Sequence, residues 1–215
     1  MRSGLITGDK TLAQIEAMRE GGKILARILR ELTEFARSGV TGLEADEFAR
    51  QKLAEYGAES AYLTPDVNFP GVVCISKNDC VVHGVPNGEP FEEGDVVAFD
   101  MVIIYKGMMV DACVTSCVGG NPSSAVKHLL NDTQKALAAG IATVKPGAKT
   151  GDIGAAVEKS LKKSKLGNIY QLVGHGIGEK MHMPPEVANF GKKGHGTAGQ
   201  AGDTFCIEPM TSLGK

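Results

Sequence analysis

No run of 18 consecutive apolar residues occurs anywhere in the 215-residue sequence, which excludes a membrane-spanning helix. The opening Met1 to Asp9 holds no apolar core of the secretory kind, so no signal segment is expected there. Charge of one sign is lacking as well: 23 Lys and Arg face 25 Asp and Glu, a formal net charge of −2. Without a global field to draw polyanions, neither nucleic acid nor an anionic membrane is an expected partner. The five cysteines, Cys74, Cys80, Cys113, Cys117 and Cys206, are odd in number and have no secretory context, so a disulfide framework is not expected. Only Cys113 and Cys117 are spaced closely enough to hint at a zinc pair. They lie in a strand-like stretch and are expected as small buried hydrophobes. Gly174-His-Gly-Ile-Gly178 lacks the Gly-Lys-Ser/Thr ending of a phosphate loop, and no Gly-x-Ser-x-Gly elbow occurs. Lys159 to Lys165 is basic but short, and reads as a solvated helix end.

What the chain does have is material for a core, 42% hydrophobic residues, and 28 glycines, which imply many tight turns or close backbone approaches. The length fits one large domain or two small ones. Thr11-Leu-Ala-Gln14 is a capping box ahead of a helical stripe at Ile15, Met18, Gly22, Leu25, Leu29 and Leu32, with an end near Ser38-Gly39. Thr41-Gly-Leu-Glu44 opens a second helix, to about Gly57. Loops and short strands follow from Tyr62 to Gly88. Two apolar runs, Asp95 to Tyr105 and Met108 to Val118, read as a hairpin around Lys106-Gly107. The pattern then begins again. A helix over Pro122 to Val144 carries Val126, Leu130, Thr133, Leu137, Ile141 and Val144, and one over Thr150 to Lys165 carries Ile153, Val157 and Leu161. Ile169 to Val173 and Asp203 to Ile207 read as strands.

This is an internal repeat. Ser38-Gly-Val-Thr-Gly42 matches Pro146-Gly-Ala-Lys-Thr-Gly151 with one residue inserted. His83-Gly-Val matches His175-Gly-Ile, and the segment from Gly94 to Asp100 matches that from Gly202 to Glu208. One domain of two pseudo-symmetric halves, about 11–118 and 122–215, is expected, with sheets packed together and helices outside. By the same symmetry a counterpart of Asp111 falls near roughly position 219, so the last strand and its acid are expected to be missing.

The carboxylates carry the chemistry. Asp100 lies within an apolar strand, and a buried carboxylate must be paired, protonated or metal-bound. A two-residue loop at Tyr105-Lys106 sets Asp100 directly opposite Asp111, with Cβ atoms about 5 Å apart. A three-residue loop around Gly107 needs a bulge to bring both acids to one face. No Lys or Arg adjoins either acid in its strand, so a divalent cation or a shared proton is needed. With Glu208 in the equivalent place and His175 in its glycine loop, the set is mixed O/N, suited to Mn, Fe, Co or Zn. His182 follows His175 by seven residues and is expected in the same cleft at a distance. His83 is expected in the matching place of the first half, able to exchange a proton near neutral pH. His128 and His195 read as ordinary.

His83-Gly-Val-Pro86, Asp100, Asp111, Gly174-His-Gly-Ile-Gly178 with His182, and Ile207-Glu-Pro-Met210 together resemble the type I methionine aminopeptidases, from about Thr11 to Met210. The resemblance implies the pita-bread fold, an α/β (α+β) sandwich with antiparallel sheets, and a dinuclear metal site. It implies a cytoplasmic enzyme that takes the N-terminal methionine from nascent chains, by metal-assisted attack of water on the first peptide bond. Carried over, Asp100, Asp111, His175 and Glu208 are metal ligands. His83 and His182 contact the substrate, and Glu208 shuttles the proton. Phe69, Cys74 and Met181 line the methionine side-chain site. The metals implied are Co, Mn, Fe or Zn, two per chain in the family. The bridging Glu of the family has no counterpart before Lys215, so one ion is expected beside Asp111, His175 and Glu208 and a weaker one beside Asp100. Asp66 stands where the family commonly has an aromatic, and Met183 replaces its usual Glu. A monomer is expected, unless an unpaired edge strand near Glu208 recruits another chain. The alternative is a truncated, non-catalytic member that binds peptides or proteins.

Overall fold

The structure, a computed structural model, describes residues 10–214, so the readings of Met1 to Asp9 and of Lys215 lie outside the described residues. The described residues divide into two compact units, residues 12–126 and residues 127–214 together with Lys10 and Thr11.

The first unit contains α1 (Leu12–Phe35), α2 (Gly42–Glu55), β1 (Glu59–Ser60), a 3-10 turn (Ala61–Leu63), β2 (Cys74–Lys77), β3 (Val96–Tyr105) and β4 (Met108–Cys117). The buried stripe of α1 is Ala17, Gly21, Leu25, Ile28, Leu29 and Leu32. The expected stripe is right from Leu25 onward and one position off at Gly22. Gly21 is the inward glycine because a Cβ there would lie 3.2 Å from Tyr105 and 3.3 Å from Val110. The helix stops at Phe35, short of Ser38. Gly39, at φ 91°, turns the chain and donates its N–H to the Phe91 carbonyl. α2 begins as expected: the Thr41 hydroxyl accepts from the Glu44 N–H, and the Glu44 carboxylate accepts from the Thr41 N–H at 2.8 Å.

In the sheet, β1 and β2 pair with successive stretches of β3, and β4 runs along its whole length, all antiparallel. One face of β3 presents Val97, Phe99, Met101 and Ile103, all at 0% exposure, to the core beneath α1 and α2. Asp100 is on the other face. The hairpin loop is Lys106-Gly107, both at positive φ, which suits the twist of a two-residue connection. This is one residue later than the loop that would oppose the two acids. The register therefore sets Asp100 opposite Cys113 and Asp111 opposite Val102. The two acids still share a face, as diagonal neighbours, and no bulge is required.

The second unit holds nearly all of α3 (Ser124–Ile141), then α4 (Thr150–Ser164), β5 (Gly167–Asn168), β6 (Gly174–Gly176), β7 (Met183–Val187) and β8 (Thr211–Ser212). β5 pairs with β8 and β6 with β7. Ile153, Val157 and Leu161 of α4 are buried as expected. On α3 the buried residues are Ala136 and Gly140, whereas Ile141 and Val144 are exposed, so the inward face is rotated from the expected one. Gly140 meets Val157 so closely that a Cβ would lie 2.8 Å from its methyl group. Ile169 to Val173 is not a strand, because Leu172 closes a turn onto Ile169. Asp203 to Ile207 forms no continuous ladder either. It runs beside β6 through single contacts: Ile177 N–H to Thr204 O, a Gly176–Phe205 bridge, and Cys206 N–H to His175 O. The expected edge near Glu208 is thus bonded along its β6 side.

The repeat recurs in the backbone of both units. Gly39 bonds Phe91 as Gly147 bonds Gly199, the Thr41–Pro90 bridge matches Lys149–Ala198, and Glu44 caps α2 as Asp152 caps α4. The match needs no inserted residue, a correction to the sequence alignment: Thr41 corresponds to Lys149. The pairing of His83 with His175 is also corrected. Lys77 pairs with Val97 where Gly176 bridges Phe205, so the counterpart of His175 is Ser76.

Candidate metal centre

The first unit supplies a carboxylate face. Cys74 on β2, Asp100 on β3 and Cys113 on β4 stand in one row across the sheet, with Asp111 diagonal to Asp100. Cys113 is exposed and Cys117 half-buried, contrary to the expectation of buried thiols. The reason is that Cys113 belongs to the face turned away from the helices. Cys74 alone is buried. Burial, and then the Asp100 charge, push its thiol up to about 12. Tyr62, which the sequence reading did not single out, hydrogen-bonds Cys74. Its phenol is pushed well above its usual range by burial first and then by the charges around it, Asp100, Cys74 and Asp111. Phe69 packs edge-on against Tyr62 at 5.4 Å. His83 sits in the exposed loop after β2, at φ 56°.

The second unit supplies an imidazole and its partners. His175 is the middle residue of β6. A Cβ on Gly174 would run into the Cys206 carbonyl, and one on Gly176 into the Pro184 carbonyl. Only glycines admit the neighbouring chain this closely on both sides of the histidine. Nε2 of His175 lies 3.3 Å from Glu208 Oε1, and its Nδ1 is 2.9 Å from the Gly176 carbonyl. The ring of His182 meets that of His175 edge-on, centroids 4.4 Å apart. This is closer than the expected distant place in a cleft, because Met183 pairs with Gly176 and brings its neighbour alongside. Met181 is buried in the same turn.

Two residues here were missed from sequence. Asn189, 1% exposed, donates Nδ2–H to the Glu208 carbonyl at 2.6 Å and so holds the backbone that carries the acid. Cys206 is the other. It sits two residues before Glu208 on an extended segment, and that spacing was the available signal. His175, Cys206 and Glu208 each offer a donor atom, all within 4.8 Å of one another. One nitrogen, one sulfur and one oxygen at this spacing form a donor set that fits a divalent transition ion. His128 is a structural residue, as expected: its ring joins Asp132 at 2.7 Å and the Ser164 carbonyl at 2.9 Å. His195 is exposed.

Residues 16–214 match metallopeptidase family M24. Methionine aminopeptidase B of Synechocystis sp. is 34% identical over 206 residues, which is 94% of this chain and 75% of that protein. A solved methionine aminopeptidase from Thermotoga maritima is 32% identical with a TM-score of 0.92, covering 97% of this chain and 83% of that one. Prolidase from Pyrococcus furiosus, 21% identical over 95% of this chain and 58% of its own, shares the fold with a TM-score of 0.79. The architecture is the mixed α/β pita-bread fold with antiparallel sheets.

Proposed function

The chain belongs to metallopeptidase family M24, and on that premise we propose that it is a metal-dependent aminopeptidase that removes the N-terminal methionine from peptides and nascent proteins. The observation that carries this reading is the approach of His175 Nε2 to Glu208 Oε1 at 3.3 Å, a spacing that suits two donors to one ion, with His182 against the same imidazole.

Asp111, His175 and Glu208 would hold one divalent ion, of the kind of Co, Mn, Fe or Zn. Asp100 would contribute to a second, weaker position, near which the substrate's free α-amino group would be received. When bound, the ion supplies Lewis acidity and a water acidic enough to attack a carbonyl at neutral pH. Glu208 takes the proton released in that attack and passes it to the leaving amine. His182 or His83 donates a hydrogen bond to the carbonyl oxygen as its negative charge grows. Phe69, Cys74 and Met181 form the apolar wall for the methionine side chain. Cys74 suits that role because its raised pKa keeps the thiol neutral. Nascent-chain substrates make the cytoplasm its working compartment. No helix of the described residues is long and apolar enough to cross a membrane.

The two relatives above 30% identity are named as methionine aminopeptidases, which gives the non-catalytic alternative no support. The test is turnover of Met-Ala-Ser with added Co or Mn. Free methionine should appear and should cease on chelation. A folded, metal-loaded chain that releases none would overturn the proposal.

A further inference from the structure

We infer that Cys206 is a metal ligand of this chain, and that its thiolate biases the centre toward zinc-like ions over manganese. The inference rests on the metallopeptidase reading above and adds a donor to it. Three observations converge. The Cys206 N–H donates to the His175 carbonyl at 2.7 Å, which locks the thiol's residue beside the imidazole's. Cys206 and Glu208 are two apart on an extended segment, so their side chains leave the same face. The sulfur lies within 4.8 Å of the donor atoms of both His175 and Glu208, close to the roughly 3–4.5 Å that separates donors sharing one ion.

The consequence is chemical. An imidazole with carboxylates alone accepts Mn, Fe, Co or Zn, whereas a thiolate is a soft ligand that favours zinc and disfavours manganese. Coordination replaces the S–H bond by a sulfur–metal bond, and the proton leaves to the buffer.

Cobalt(II) is the probe. One equivalent added to the full-length, metal-free chain should give a near-ultraviolet sulfur-to-cobalt charge-transfer band together with the visible cobalt bands. Cys206→Ser should lose the first and keep the second. Cys117→Ser, at the far end of β4, should keep both. Zinc should compete with manganese less well in Cys206→Ser, by on the order of 10–100-fold, the scale of loss that even an outer contact brings. Visible cobalt bands in the wild type without the charge-transfer band would overturn the inference, whether or not Cys206→Ser folds. Methionine release by that same wild-type protein would leave the peptidase reading standing. A wild type that binds no cobalt at all would remove both.

Discussion

Cys74 shows how burial and a neighbouring charge act together on one atom. The thiol is 2% exposed and faces Asp100 across the ladder. Both effects disfavour the thiolate, and only the thiolate attacks an alkylating agent. Native protein treated with iodoacetamide near roughly neutral pH should therefore be labelled at the exposed Cys80 and Cys113 and spared at Cys74. Peptide mass mapping reads the result, and fast labelling of Cys74 would contradict the packing described. The two histidines separate in the same way. His175→Ala should remove bound metal and activity together. His182→Ala should retain metal while kcat falls by about 10²–10³, the usual loss for one donor to a developing oxyanion. Metal analysis beside steady-state kinetics distinguishes the two, and equal metal loss in both would assign His182 to the ion instead.

Among the elements, the helix starts were legible and the short strands were not. Thr41 and Glu44 specify the start of α2 by local hydrogen bonds that need no partner from elsewhere. A strand such as β6, only Gly174–Gly176, exists through what lies beside it, and nothing local in Ile169 to Val173 marks it as turn rather than ladder. The hairpin was readable, but its register hung on which two residues took positive φ, and a shift of one moved Asp111 from Asp100 to Val102. The caps also carry a pH dependence. Glu44 is held below its usual range by the Thr41 N–H, and Asp152 by the N–H groups of Lys149 and Gly194. A carboxylate with a depressed folded pKa stabilises above its unfolded value, about 4, and that contribution is lost as pH falls through the folded value. Urea midpoints should therefore drop on the acid side of about pH 4, less steeply in Glu44→Gln. Asp46 acts between elements. Its Oδ1 accepts from Val72 at 2.6 Å and Val73 at 3.2 Å, on the chain entering β2. Asp46→Ala strands two buried N–H groups and should cost about 3 kcal/mol in urea denaturation, and a loss below about 0.5 kcal/mol would mean that the loop re-pairs them.

At the scale of the whole molecule, the repeat organised the sequence reading and also misled it. Glycine turns, caps and terminal acids recur because each unit solves the same backbone problem, so their letters stay alike. The chemistry need not recur. The second unit places His175 where the first has Ser76, and the literal His-Gly match had pointed to His83. Cys206 and Asn189 escaped notice for a related reason. Their letters are common in cores and loops, and only packing against His175 and Glu208 gives them a role. A centre whose ligands come from distant parts of the sequence should be coupled to folding as a whole, since the unfolded chain cannot assemble it. At about 100-fold excess of free ion over Kd, binding adds about 2.7 kcal/mol, worth roughly 5–10 °C in Tm for a chain of this length. Chelation of the loaded protein should remove that increment. His175→Ala and Asp111→Ala should abolish the response to added ion, each read against its own metal-free Tm, since the His175 ring also packs against His182. Calorimetry of the three proteins with and without zinc makes the comparison. If Asp111→Ala kept the full metal-dependent shift, the ion would be held by His175, Cys206 and Glu208 alone, and Asp111 would lose its place among the ligands.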